Sequence, residues 1–242
     1  MFPSVTIQGR QLTFPVEVRQ ASSWAASFLV PAARAQAMIA HTPLQVAQPV
    51  PGRALVTIPF VRYVDSDLDS YNEVGVTVLV REHDAADEPA WRHSLDVARS
   101  RVGVYVHHLP VDQAFTLEAG RALWGYPKVM ASIDIRSSGG VTACELRIDD
   151  QDVLRLRVVD GGPIPIPARM PPTYTYLDGV LRRTLWESEG VQIRGRLGGA
   201  TLWLGSHPIA DELRALGLPK RALLSQTIEQ LRARFHGAEV LR

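Results

Sequence analysis

Lysine is nearly missing from this chain. Of its 26 Lys and Arg residues only two, Lys128 and Lys220, are lysines. Arginine therefore supplies positive charge almost everywhere. A guanidinium stays protonated in proteins, whereas an amine can lose its proton and attack a carbonyl. A lysine retained against such a bias is a candidate nucleophile. Cysteine is scarcer still. The single Cys144 excludes an internal disulfide and fits a reducing compartment; on a strand it reads as a small apolar residue. No apolar run approaches the roughly 18 residues of a membrane-spanning helix, and the first residues lack a charged-then-apolar leader pattern. The expectation is a cytoplasmic protein without a membrane partner. A net charge of +1 and the lack of any Lys/Arg-rich run argue against nucleic acid. There is no Gly-X-Ser-X-Gly elbow, and the glycines of residues 195–199 have no Rossmann context.

What is present is a large apolar fraction, 46% of 242 residues, enough for a substantial core. Residues 4–20 alternate around Gly9-Arg10 as a hairpin does. Ser22 or Ser23 is placed to cap a helical stretch over residues 24–29, and Pro31 to start another through Ile39. Residues 54–64 and 74–80 read as strands flanking an acidic loop at 65–73, and residues 83–99 as a polar excursion. A buried strand over 102–106 leads to a helix over 113–124, with Asp112 as its N-cap. Residues 129–135 and 141–148 form a hairpin around Gly139-Gly140, continued by 153–159. Proline-rich residues 161–172 read as a stiff connector or lid. Strands are expected at 177–186, 191–197 and 201–204, then a helix capped by Ser206 and ended by Gly217. Residues 222–234 read as an amphipathic helix with Leu223, Leu224, Ile228 and Leu231 on one side. The sum is a single β-rich α+β domain over residues 1–242, built on a curved sheet or barrel with a few helices.

Lys128 lies in Glu-Ala-Gly-Arg-Ala-Leu-Trp-Gly-Tyr-Pro-Lys-Val-Met, residues 118–130. Gly125 can end the preceding helix in a left-handed conformation, and Tyr126-Pro127 then forces extended or turn geometry. The lysine is thus held at a rigid helix-to-strand junction among Leu123, Trp124, Tyr126 and Val129. The plain alternative is a surface lysine lying along apolar neighbours. Lys220, after Pro219 in a polar turn, reads as solvated.

The stretch Gly120-Arg121-X-Leu-Trp-Gly-Tyr-Pro-Lys128 resembles the signature of the acetoacetate decarboxylase family, in which this lysine is the Schiff-base nucleophile. Tyr71-Asn72-Glu73 is similar to the family's Tyr-X-Glu segment, and Gly9-Arg10 lies where an active-site arginine is found. Leu216-Gly-Leu-Pro219 and the closing Gly237-Ala-Glu-Val-Leu241 also match. The resemblance implies a closed, cone-like antiparallel β-barrel core, a buried pocket and a homo-oligomer. It also implies catalytic Lys128 and Glu73, substrate contacts from Arg10 and Tyr126, a small oxo-acid substrate and no cofactor. In two places the chain departs from the decarboxylases: Val129 stands where a second lysine follows the first, and Ile58 where counting back from Glu73 places another glutamate. The expected chemistry is decarboxylation of a 3-oxo acid through a Lys128 iminium. Aldolase-dehydratase or cyclase chemistry on a pyruvate-like acid, or ligand binding without catalysis, are the alternatives.

Two rival signals carry less. Asp65-X-Asp67-X-Asp69-X-X-X-Glu73 approaches a calcium loop, but Ser70 replaces the required glycine and the glutamate comes early. His107 and His108, adjacent on a strand, are expected to face opposite sides and so not to share an ion. No metal site is expected.

Overall fold

A computed structural model describes residues 4–81, 101–166, 171–188 and 192–241. Among these residues three helices accompany three sheets: α1 (Ala32–Met38), α2 (Ala114–Trp124) and α3 (Pro208–Ala215). The expected excursion at 83–99 lies outside the described residues.

The largest sheet is organised on one long strand, Val16–Pro31. Leu224–Phe235 pairs with it on one side and Arg53–Ser66 on the other, both antiparallel. Residues 24–29 are therefore strand and not the expected helix. Small residues there (Ala25, Ala26) imitate helix composition, yet the backbone is committed to neighbours on both edges. Their small side chains sit buried where the sheet is covered.

Where an amphipathic helix was expected over 222–234, the chain forms the strand Leu224–Phe235. Buried Ser225 and Thr227 reveal the true period of two, and two register shifts follow, between Ile228 and Leu231 and between Leu231 and Ala233. The first sets an extra residue on this strand and the second an extra one on its partner, so buried positions stay in phase at 225, 227, 231 and 233. Apolar residues then fall at 224, 228 and 231, the spacing of a helix face.

The chain continues from Arg53–Ser66 into Tyr71–Val74 and Val76–Arg81, both of which also pair with Val102–Val111. The acidic loop is shorter than expected, so Glu73 stands on a strand. The stretch 177–186 is a hairpin, Thr173–Leu177 and Val180–Thr184, because Asp178 and Gly179 both take positive φ. Strand pairing in this sheet runs as a path from Ile164–Ile166 to Glu239–Val240. Two of its ladders are parallel, Val102–Val111 with Thr173–Leu177 and with Lys128–Met130, so the sheet is not wholly antiparallel as expected. The expected closed ring is not part of the pairing among the described residues. A second sheet has four strands in the order Ala200–Leu204, Gln151–Val159, Val141–Ile148, Ser132–Ser138. Its hairpin turns on Gly139 and Gly140, both at positive φ as a two-residue connection of this hand needs. The third sheet is the opening hairpin, Ser4–Ile7 with Arg10–Thr13.

Buried apolar residues form two clusters. The larger holds Phe28, Val56, Ile58, Phe60, Tyr105, Leu146 and Leu156. The smaller gathers Tyr63, Tyr71, Val106, Leu109, Phe115, Trp124 and Tyr126. It is in the smaller cluster that the lysine is buried.

Candidate active site

The end of α2 sets the position of Lys128. Gly125 adopts φ 64° and closes the helix, its N–H reaching the Arg121 carbonyl while Tyr126 N–H reaches that of Gly120. A Cβ on Gly125 would come within 2.7 Å of Arg182 Nη1, a side-chain end that can shift, so it is the left-handed dihedral that favours glycine. The chain then doubles back, and Lys128–Met130 pairs in parallel with Leu109–Val111. This returns the Lys128 side chain across the helix it just left. A Cβ on Gly120 would stand 2.6 Å from both Cδ and Cε of Lys128. The missing side chain at Gly120 is the channel in which the lysine lies.

The amine at the end of that channel is dry and partnered. The Lys128 side chain is 3% exposed; Nζ lies 2.9 Å from Glu73 Oε2 and donates to Thr116 Oγ1 at 2.8 Å. The Tyr71 ring centroid is 5.0 Å from Nζ. Glu73 also accepts from the Tyr63 hydroxyl at 3.3 Å, and Tyr63 and Tyr71 stack with centroids 4.3 Å apart. The strand bearing Glu73 is tied to the start of α2 by Asp112, which accepts from Asn72 N–H and Nδ2 at 2.7 and 2.8 Å. Asp112 is thus not the expected helix cap. Gln113 caps instead, accepting from Thr116 N–H at 2.6 Å.

Tyr126 is buried, its hydroxyl 3.0 Å from Thr173 Oγ1. Burial, with the nearby Glu73 charge adding to it, holds the phenols of Tyr63, Tyr71 and Tyr126 above the ordinary tyrosine range. All three remain hydroxyl donors. The electrostatics therefore place one carboxylate and one amine among neutral donors in a closed apolar surround, where charges interact strongly.

Arg10 lies apart from this group. It is half-exposed at the hairpin turn, paired with Asp69 at 2.5 Å, and its guanidinium covers the Phe115 ring at 4.1 Å. Asp65 and Asp67 are both engaged by Arg19, so all three aspartates of the acidic run already have arginine partners. Lys220 donates to the Leu29 carbonyl at the surface.

Lys128, Glu73 and Tyr126 thus share one cluster, while Arg10 is outside the amine's immediate contacts. Sequence reasoning missed Thr116 and Tyr63. Thr116 had a legible signal, since it stands one turn before Gly120 on the helix face that meets Lys128. Tyr63 had none, because only the ladder pairing Tyr63 with Tyr71 brings it close. The two departures also acquire positions. Val129 is 40% exposed and, one step along the strand, points away from Lys128. Ile58 is fully buried in the larger cluster, whereas Val61 and Tyr63 of the same strand pack in the smaller one.

Comparison with known proteins gives one consistent picture. The crystal structure of acetoacetate decarboxylase from Legionella pneumophila subsp. pneumophila str. Philadelphia 1 is similar with a TM-score of 0.72 at 18% identity, over 96% of this chain and 91% of that one. The enduracididine biosynthesis enzyme MppR complexed with pyruvate is similar with a TM-score of 0.68 at 16% identity, over 96% and 92%. An acetoacetate decarboxylase-like enzyme from Sphingomonas wittichii RW1 gives 0.66 at 15%, over 92% and 91%. These likenesses concern the fold. A comparison with curated protein sequences returns no match. The family model described as Acetoacetate decarboxylase (ADC) matches residues 7–242, nearly the whole length, and the chain belongs to the acetoacetate decarboxylase family.

Proposed function

We propose that this protein is a Schiff-base enzyme in which Lys128 forms an iminium with a small oxo acid, and that its reaction is the decarboxylation of a 3-oxo acid. The observation that carries the reading is the buried amine 2.9 Å from a single carboxylate. An ammonium beside a carboxylate becomes an amine beside a carboxylic acid when one proton crosses that contact. The transfer leaves the net charge of the pair unchanged. The free amine then attacks the substrate ketone, and water leaves from the carbinolamine to give the iminium. That cation accepts the electron pair released when the β-carboxylate departs as CO2. The proton held by Glu73 leaves with that water; a second proton, drawn from solvent through Glu73, reaches the enamine carbon, and hydrolysis frees the lysine.

Tyr126 and Tyr63 supply hydroxyl donors at the pocket wall. Arg10 is assigned to the substrate carboxylate, which requires it to exchange Asp69 for substrate. The reading includes no organic cofactor and a cytoplasmic homo-oligomer. Exposed Leu197, Trp203 and Leu223 offer apolar surface for assembly, and sedimentation would test it.

A second reading, aldolase-dehydratase or cyclase chemistry on a pyruvate-like acid, uses the same imine. It is favoured by apolar Ile58 where the decarboxylase pattern expects a glutamate. MppR, similar in fold, is described in complex with the condensation product of pyruvate and imidazole 4-carboxaldehyde. Borohydride trapping with acetoacetate and with pyruvate, read by mass spectrometry, tests both. A reduced adduct on Lys128 is expected in the wild type and none in Lys128→Arg. CO2 release supports the first reading, and condensation products without CO2 support the second. Tight oxo-acid binding with no adduct would leave only a ligand-binding protein.

A further inference from the structure

The strand Val102–Val111 carries His107 and His108 side by side, and a regular strand would turn them to opposite faces. It is not regular there. Thr77 pairs with Val106 but Val76 pairs with His108, so His107 is an extra residue opposite one step of its partner strand, a β-bulge. The bulge overturns the sequence expectation and turns both imidazoles to one side, with ring centroids 4.3 Å apart. Their Nε2 atoms lie 3.0 and 2.7 Å from the same oxygen, Oε2 of Glu212 on α3. This face of the strand is not the lysine's. Tyr105 before the pair packs in the larger cluster, whereas Val106 and Leu109 pack in the smaller one with Trp124 and Tyr126.

We propose that His107, His108 and Glu212 form a binding site for a divalent first-row metal ion, zinc foremost, separate from Lys128. Two imidazoles and one carboxylate are a recurrent three-ligand set for zinc with a fourth position left to solvent. The half-exposed Glu212 side chain leaves that position open. Ligand atoms about 2.0–2.1 Å from a tetrahedral zinc stand roughly 3.3 Å from one another. The three candidate ligand atoms already lie within 4.8 Å of each other, and the two His–Glu contacts need open by only a few tenths of an ångström. His107 Nδ1 is buried without a partner among the described residues. Glu212 Oε2 is within hydrogen-bond reach of both rings, which as N–H donors satisfy it before an ion arrives. Binding through Nε2 moves each ring's proton to Nδ1, so at His107 the metal bond has to offset one buried N–H without a partner.

The competing account is a hydrogen-bonded strut joining α3 to the sheet, and metal titration separates the two. Untagged full-length protein freed of metal is titrated with Zn2+ by calorimetry, and with Co2+ by visible absorption. The proposal expects one saturable equivalent and the intense d–d bands of four- or five-coordinate cobalt. Glu212→Gln and His108→Gln, checked for folding by circular dichroism, should each weaken Zn2+ at least about tenfold, since even changes to outer-sphere partners cost that much. Absence of a stoichiometric site in the wild type, or a site that both variants leave intact, would overturn it. The wild-type titration decides even if a variant fails to fold.

Discussion

One methyl group at position 120 would collide with the lysine, and this makes Gly120→Ala a sharp test of the site. On an isolated helix the change should stabilise by about 1 kcal/mol. Here the added carbon meets Cδ and Cε of Lys128 at 2.6 Å, and overpacking of this kind costs about 1–3 kcal/mol. The expected outcome is a lower urea midpoint together with slower borohydride trapping. A variant both more stable and fully reactive would contradict the channel. Glu73 is tested by a different contrast. Replacing it by glutamine keeps the shape and removes the proton acceptor beside Nζ. Turnover should fall about 10²–10⁴-fold, the usual worth of a positioned acid–base group. Slow trapping at Lys128 should persist over long incubation, because the nucleophile is still there. Equal loss of trapping and turnover on every timescale would mean that Glu73 only holds the fold.

At the scale of elements, the connections between sheets and helices are tighter than their sequences suggest. Gly205 follows the strand Ala200–Leu204 and leads to α3, its N–H bonded to the Val153 carbonyl. A Cβ there would lie 1.9 Å from the Asp152 carbonyl oxygen and 2.4 Å from its carbon. Both are backbone atoms of a paired strand and have little freedom to shift. Gly205→Ala should therefore cost at least about 3 kcal/mol, the upper end for overpacking, measured by urea denaturation. A neutral result would show that this junction is looser than described. The His207 side chain caps α3 by accepting from Ile209 N–H at 3.2 Å, where Ser206 was expected. Glycine at 205 lets the chain press against residue 152 before the helix starts. Once that approach is made, the residue positioned to cap is the one nearer the proline.

Across the whole molecule the two ends of the chain are laid against each other. Leu224–Phe235 lies between Val16–Pro31 and Ile193–Leu197. Removing residues 224–242 would bare the edges of both and strip the cover from Ala21 and Val18. Such a chain should fail to show a cooperative unfolding transition by circular dichroism. Removing only residues 239–242 should leave the transition in place, because Glu239–Val240 is a two-residue exposed strand at the end of the path. A cooperative fold in the longer deletion would mean that the central strand does not depend on its C-terminal partner. The same pairing makes the fold rich in contacts distant in sequence, a topology that forms slowly.

The sequence by itself determined the local machinery around the amine: a lysine scarce enough to notice, a helix stopped by Gly125, and a Tyr-Pro step that turns the chain. These depend on dihedral preferences and near neighbours, which are written in consecutive residues. It also specified the β-rich class, through alternation in segments such as 141–148 and 153–159. Only the tertiary structure decided that Glu73 stands on a strand facing Lys128, that Tyr63 joins it, and that residues 24–29 and 224–235 are in strands. Those outcomes rest on hydrogen-bond ladders between segments up to about two hundred residues apart. The histidine pair is the clearest case. Two adjacent side chains reach one carboxylate because a partner strand is one residue short opposite them, and no reading of positions 107 and 108 alone contains that fact.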